Sequence, residues 1–238
     1  MCVFQPHVPA DFCIASVFGS RKRIFFAGIS FLLFIATSCA FSGIDVSTYQ
    51  NYITWPTVAQ YKHFAIIRAG YGFGHIDNYY ETNYQNAKAA GVKVGAYWYA
   101  YASSTSDAVQ EANYCVQALK GKQFEWPIYY DIKEKSIFNA GIASAIAKAF
   151  CEVLEANKYY CGIYSSASYL NSYFDSYTKE KFTIWVAHWD ADVPAYKGAY
   201  GVWQYKVGYA EGISGRCDLD YGYIDFEPVM KEHHLNGY

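Results

Sequence analysis

Residues 64–101 read FAIIRAGYGFGHIDNYYETNYQNAKAAGVKVGAYWYAY. Two apolar runs, 64–71 and 92–101, flank a polar stretch whose part from Asn83 to Ala90 has helical character and stops at Gly91. A glycine just past a helix is a stop signal, because it takes up the left-handed conformation that closes the last turn. The runs are too continuously apolar to have one face in water. They predict buried parallel strands joined by a covering helix.

The same alternation extends in both directions. Strand-like runs occur at 43–46, 127–131, 160–165, 182–188, 201–205 and 216–219. Ser106-Asp107 opens a helix that continues through Leu119, with Gly121 after it. Ala140 to Asn157 carries Ile142, Ile146, Phe150, Val153 and Leu154 at helical spacing, and a short helix is expected after Ser166. The last three strands leave little room for helices. Eight strands in an α/β chain of this size predict a closed TIM-like barrel with reduced helices, of (β/α)5(β)3-like form. No repeat or low-complexity linker divides residues 42–238, which are expected to be one domain.

Composition excludes several functions. The chain has 238 residues, a net charge of −2, 20% aromatic and only 17% charged residues. Disordered chains show the reverse balance. A general nucleic-acid binder carries a basic excess, and none is present. Only one apolar run is long enough to suggest a membrane segment: Arg21-Lys22-Arg23 precedes an uncharged stretch from Ile24 to Phe41. Residues 1–41 therefore predict an export signal or an uncleaved anchor, and with it a secreted or cell-surface, membrane-anchored protein. Beyond that segment, 16 basic residues face 20 acidic ones, a net −4. Four of the seven cysteines remain there, Cys115, Cys151, Cys161 and Cys217, with no CxxC pair. No metal site and no cofactor is expected. Cys115 and Cys151 are expected to pack as small hydrophobes on helices, and one disulfide is allowed without a defined pair.

Barrel enzymes of this kind gather their chemistry at the C-terminal ends of the strands. Asp45, Arg68, Asp131, His188, Gln204 and Asp218 fall there, among Tyr71, Tyr97, Tyr99, Tyr130, Tyr164 and Trp189. About half of such rings belong in a core. The excess suits a ligand with flat apolar faces and many hydroxyls, which describes a sugar polymer. Arg68, on an apolar strand, requires a buried partner, for which Asp45 and Asp131 are the candidates. His188 is balanced between a hydrogen-bonding structural residue and a cleft base. Gly70-Tyr71-Gly72-Phe73-Gly74 lacks phosphate-loop spacing and a following Lys-Ser/Thr, so its glycines are assigned to turns, and a nucleotide enzyme is not supported.

Gly43-Ile44-Asp45-Val46-Ser47 with Gln50, Phe64 to Gly72, Gly95 to Tyr99, Pro127 to Ile132, Ile184 to Trp189, Val202 to Tyr205 and Gly212 to Asp220 together resemble, in order, glycoside hydrolase family 25, the N-acetylmuramidase type of lysozyme. The resemblance implies a barrel with fewer helices than strands and cleavage of the β-1,4 bond from N-acetylmuramic acid to N-acetylglucosamine in peptidoglycan. It implies an acidic cluster at Asp45, Asp131 and Asp218. It also implies an Asp-x-Glu signature on the fourth strand whose Glu is the general acid. Here Asp131-Ile132-Lys133-Glu134 places Lys133 at that position.

Strand alternation puts positions 131 and 133 on one face and 134 on the other. Lys133 is expected to favour the ionised form of Asp131. A bulge is the device that would turn Glu134 inward as a substitute acid. Two functions follow from these residues: a lysozyme-type hydrolase acting on peptidoglycan strands as a monomer, or a catalytically impaired binder of the same polymer. The expected catalytic set is Asp131, Asp45, Asp218 and Glu134. The expected substrate-binding set is Arg68, Tyr71, Tyr97, Tyr99, Tyr130, Tyr164, His188, Trp189 and Gln204.

Overall fold

The computed structural model describes residues 40–139 and 141–238; the expected signal or anchor segment lies outside them except for its last two residues. Nine strands form one sheet: β1 (Phe41–Val46), β2 (Phe64–Tyr71), β3 (His75–Ile76), β4 (Lys93–Tyr99), β5 (Ile128–Asp131), β6 (Cys161–Ser166), β7 (Thr183–Ala187), β8 (Val202–Tyr209) and β9 (Arg216–Gly222). The order β1-β9-β8-β7-β6-β5-β4-β2, with β1 paired to β2, closes an eight-stranded barrel, and β3 is a hairpin extension of β2. All eight predicted strands are present.

The barrel is parallel except at one strand. β9 runs antiparallel to both β1 and β8. Only residues 210–215 separate β8 from β9, and a parallel crossover needs a dozen residues or more. Gly212 and Gly215, at φ +87° and +107°, make that reversal possible.

The helices are α1 (Trp55–Val58), α2 (Tyr80–Ala89), α3 (Thr105–Leu119), α4 (Lys135–Asn139), α5 (Ala143–Ala156), α6 (Ala167–Tyr173), α7 (Ser176–Lys181) and α8 (Glu227–Glu232). None lies between β7 and β9: residues 188–201 cross without a helix, and 210–215 is too short for one. The Ser104 hydroxyl accepts from the Asp107 amide and caps α3. The helix expected over 140–157 is α5 and starts later, at Ala143, after Gly141 at φ +67°; the short α4 precedes it as a separate element. α2 starts three residues before the expected Asn83, because the Asp77 carboxylate accepts the Tyr79 amide at 2.9 Å and satisfies a donor at the helix start.

Strand alternation divides the core in two. Outward residues such as Ile44, Ile67, Trp98, Tyr130 and Ile163 pack under α2, α3 and α5, where Ile146, Phe150 and Leu154 form the buried stripe of α5. Inward residues fill the barrel: Phe64 and Trp126 stack with centroids 3.7 Å apart, joined by Tyr129, Trp185 and Phe226. Gly43 and Gly222 leave the room for Phe64 and Trp126, since a Cβ at either position would collide with those rings. Cys151 on α5 is bonded to Cys161 on β6, so Cys151 is a cross-link and not merely a small packing residue. Cys115 and Cys217 are buried thiols. The apolar floor blocks one end of the barrel and leaves the C-terminal end of the parallel strands for polar groups.

Candidate active site

Asp45 on β1 and Asp218 on β9 are direct cross-strand partners. Like charges directly opposed on a sheet are destabilising, and here they are joined by Asp220 two residues on and by Asp131 at the end of β5. With Tyr97, Tyr164, Trp185 and Gln204 as walls, Asp45, Asp131 and Asp218 line a cavity of about 130 Å³. Asp220 lies just beneath and is fully buried, accepting the Trp185 indole N–H at 2.8 Å. Among the described residues, one oxygen of Asp220 and one of Asp131 are buried without a hydrogen-bond partner. A buried oxygen without a partner is costly.

Gln204 organises this cluster. Its amide nitrogen donates to Asp45 Oδ2 at 2.7 Å, while its oxygen accepts the Tyr164 hydroxyl at 2.8 Å and the Trp189 indole N–H at 2.9 Å. Lys133 Nζ stands 3.0 Å from Asp131 Oδ2, above the rings of Tyr99 and Tyr164 at 4.9 and 5.3 Å. The expected shared face of 131 and 133 is therefore observed.

Burial dominates the proton affinities. It pushes Asp45 and Asp220 well above the usual carboxylate range, with repulsion from Asp218 adding to both. Burial also raises Asp218, against Lys133 and Arg216. Asp131, only 2% exposed, is pushed up by burial to about 6, although Lys133 and Arg68 pull it down. The lysine was expected to hold Asp131 ionised; desolvation outweighs it. Burial likewise opposes the charge of Lys133, but Asp131, Asp45 and Asp218 around it raise its pKa above the ordinary lysine value.

The remaining expected site residues separate into two groups. Tyr97, Tyr164 and Gln204 line the acidic cavity, and Trp189 stands exposed at its rim, tied to Gln204. Arg68, Tyr71 and Tyr99 line an adjoining pocket of about 310 Å³. The partner of Arg68 is neither Asp45 nor Asp131 but Asp77, at 2.7 Å.

Three expectations are corrected. Tyr130 points out of the barrel, stacks on Phe150 at 3.8 Å and donates to the buried Glu111 at 2.8 Å, because its position on β5 alternates with those of Tyr129 and Asp131. His188 accepts the Ala195 amide through Nδ1, and its carbonyl accepts the Trp203 indole N–H, which fixes a loop away from both cavities. Glu134 is not among the residues lining the acidic cavity: it accepts the Tyr99 hydroxyl.

Asp220, Asp77 and Tyr49 were not anticipated. Asp220 follows from alternation, since 218 and 220 share a face. Asp77 had no signal beyond the need of Arg68 for a partner. Tyr49 sits on the short turn after β1, capped reciprocally by Ser47 and Gln50. Among the described residues no group of three or more His, Cys, Asp or Glu is arranged to hold a metal ion.

The arrangement, a barrel mouth with buried carboxyls of raised proton affinity between aromatic walls, is one that can protonate a glycosidic oxygen and stabilise an oxocarbenium-like state. Comparison with known proteins agrees. Residues 44–213 match the model of the glycosyl hydrolases family 25. The chain is 30% identical over 203 residues to the uncharacterized protein YegX of Escherichia coli K12, spanning 80% of this chain and 72% of that protein. It is 29% identical over 201 residues to lysozyme M1 of Streptomyces globisporus, spanning 77% and 68%. The crystal structure of the lysozyme from Streptomyces coelicolor superposes with a TM-score of 0.66 at 27% identity, covering 79% of this chain and 94% of that one. The match extends from the strand that carries Asp45 to the turn before Asp218, and by it the chain belongs to glycosyl hydrolase family 25.

Proposed function

We propose that this protein is a lysozyme-type glycoside hydrolase that cleaves the β-1,4 bond between N-acetylmuramic acid and N-acetylglucosamine in peptidoglycan, outside the membrane. The observation that carries this reading is the group of Asp45, Asp131, Asp218 and Asp220 in one aromatic-walled barrel mouth. Retaining or inverting, the chemistry needs one carboxyl that is neutral and one that is charged. Asp131 beside Lys133 supplies the negative charge above a pKa of about 6 and can stabilise an oxocarbenium-like centre, with the substrate's N-acetyl group as internal nucleophile. Asp45 and Asp218, whose proton affinity is raised by burial, face the same cavity and would organise the cleft and its water.

A second reading is favoured by one contact. Lys133 occupies the place that the Asp-x-Glu signature gives to the general acid, and a lysine whose pKa is raised does not release its proton to a leaving oxygen near neutral pH. On that reading the barrel holds peptidoglycan strands and cuts them slowly or not at all. Clearing of a purified cell-wall suspension, with new reducing ends counted in the supernatant, separates the two. Clearing by the unmodified chain that is lost in Asp131→Asn supports the hydrolase. Sedimentation with the walls and no new reducing ends supports the binder.

A further inference from the structure

Asp220 is placed so that one of its oxygens has no donor to accept from. On β9 it lies directly opposite Gln204 of β8 and Gly43 of β1. Gly43 has no side chain, so the Asp220 carboxyl has room on that side toward Asp45, the next residue of β1 on the same face. Asp220 is 0% exposed. Its Oδ1 accepts the Trp185 indole N–H at 2.8 Å. Its Oδ2 is buried and, among the described residues, has no hydrogen-bond donor. The Asp45 carboxyl stands within hydrogen-bonding reach of Asp220 and already accepts the Gln204 amide at 2.7 Å.

Two ionised carboxylates offer only acceptors and cannot bond each other, so a pair in contact in a dry site keeps one proton between them. The surroundings decide which member holds it. Asp45 lines the cavity, takes the Gln204 N–H and has Lys133 near enough to favour its charge. Asp220 lies beneath, where Asp218 on its own strand opposes a further negative charge and Lys62, ahead of β2, acts the other way. Tyr129 of β5 and Trp185 of β7 complete its surroundings. A neutral Asp220 accounts for every contact. Its carbonyl Oδ1 accepts from Trp185, and its Oδ2 is a hydroxyl that donates to Asp45. The repulsion that an ionised Asp220 would exert on Asp45 is then replaced by a hydrogen bond, which favours the Asp45 charge.

We propose that Asp220 is an un-ionised positioning residue that donates its Oδ2 proton in a hydrogen bond to Asp45 and fixes Asp45 as a charged acceptor in the wall of the cavity. Asp45 is thereby oriented by two donors, Gln204 from β8 and Asp220 from β9, and meets the cleft water as an anion. Trp185, held by the other oxygen of Asp220, stands edge-on to Tyr164 at 4.5 Å, and both rings line the cavity. The catalytic consequence rests on the proposed hydrolase reading; the position of the proton does not.

Infrared difference spectroscopy of the full chain at neutral pH tests the proton directly. The unmodified chain should show the carbonyl stretch of an un-ionised carboxyl that Asp220→Asn lacks. A spectrum of the unmodified chain minus Asp220→Asn without that band overturns the proposal, and so does a band that survives Asp220→Asn and vanishes in Asp45→Asn. The pH profile of cell-wall hydrolysis tests the consequence. Asp220→Leu takes a donor from Asp45, so its rate should fall about tenfold, the scale of one charge-assisted hydrogen bond, and the acid limb should move to higher pH. Asp220→Asn, whose amide can accept from Trp185 and donate to Asp45, should restore most of both. An acid limb that moves to lower pH in Asp220→Leu means that a negative charge was removed, and overturns the un-ionised state. If Asp220→Leu does not fold, the infrared comparison with Asp220→Asn still decides. Absence of hydrolysis by the unmodified chain overturns the hydrolase reading and leaves the infrared result to decide the proton on Asp220.

Discussion

Lys133 Nζ and Asp131 Oδ2 form an ion pair of 3.0 Å at the mouth of the barrel, with the lysine half exposed and the aspartate buried. The pair sets a cation against one of four carboxylates crowded there, at the position where the proposed reading puts the general acid. Lys133→Glu exchanges that cation for a carboxyl next to Asp131. A positioned general acid is worth roughly 10²–10⁴ in rate, so the variant should clear cell walls faster by about that factor. Wall binding retained without any gain in hydrolysis would sink this placement of the acid.

The pH dependence of stability should be inverted relative to proteins held by surface ion pairs. Asp131 is raised by burial from an ordinary 3.8 to about 6, and Glu111, buried against Tyr130 and the Tyr101 amide, from 4.5 to about 7. In both, the folded state binds the proton more tightly than the unfolded state, so their contribution is complete below about 4 and is lost as pH rises through 6 to 7. Each shift corresponds to something on the order of 3 kcal/mol. Denaturant midpoints should therefore rise from pH 7.5 to pH 5, and Asp131→Asn with Glu111→Gln should flatten the slope. A midpoint that falls over that range contradicts the account.

Gln204 is the strut of the carboxylate cluster. Gln204→Leu removes the donor to Asp45 and strands the Tyr164 hydroxyl and the Trp189 indole N–H. Leaving the buried Asp45 and Tyr164 groups unpaired costs about 1–3 kcal/mol each, while the exposed Trp189 N–H can turn to water. The expected outcome is a loss of that order in urea unfolding, with a change in tryptophan emission as Trp189 is released. An unchanged unfolding midpoint argues against the strut.

The Cys151–Cys161 bridge closes a short loop between α5 and β6. Bridges of this loop size contribute about 2–3 kcal/mol. Cys151→Ser with Cys161→Ser should lower the melting temperature, and reducing agent should do the same to the unmodified chain only. Cys115 and Cys217, both buried, should resist a thiol reagent until the protein is denatured. Rapid labelling of either in the native state would contradict their placement.

Much of this molecule could be read from its residues because period-two and period-3.6 signals agree along most of the chain. The eight barrel strands and the carboxylates Asp45, Asp131 and Asp218 emerged that way. Tyr130 did not, because ring type says nothing about which face of a strand a residue takes; only its alternation with Asp131 does. Arg68 could be seen to need a partner. That partner, Asp77, comes from beyond a two-residue hairpin strand too short to leave a pattern. The direction of β9 was legible only through the length of the turn before it. Glu134 depended on whether the chain bulged after Asp131, a local backbone choice that the side chains do not announce.

The antiparallel pairing of β1 with β9 has a consequence for how the chain reaches its native state. Asp45 meets Asp218 only when the first strand of the barrel zips to the last. This is among the longest-range contacts in the fold, and so entropically among the latest to form. Until that seam closes, Asp45 and Asp218 are not crowded against each other. The whole cost of dehydrating and crowding them falls on the final step. Ring closure is then the proton-sensitive event of folding: a chain released from denaturant at mildly acidic pH should seal its seam faster than one released at neutral pH, and a ribosome-bound chain that has not yet exposed β9 has a scaffold but no acid cluster.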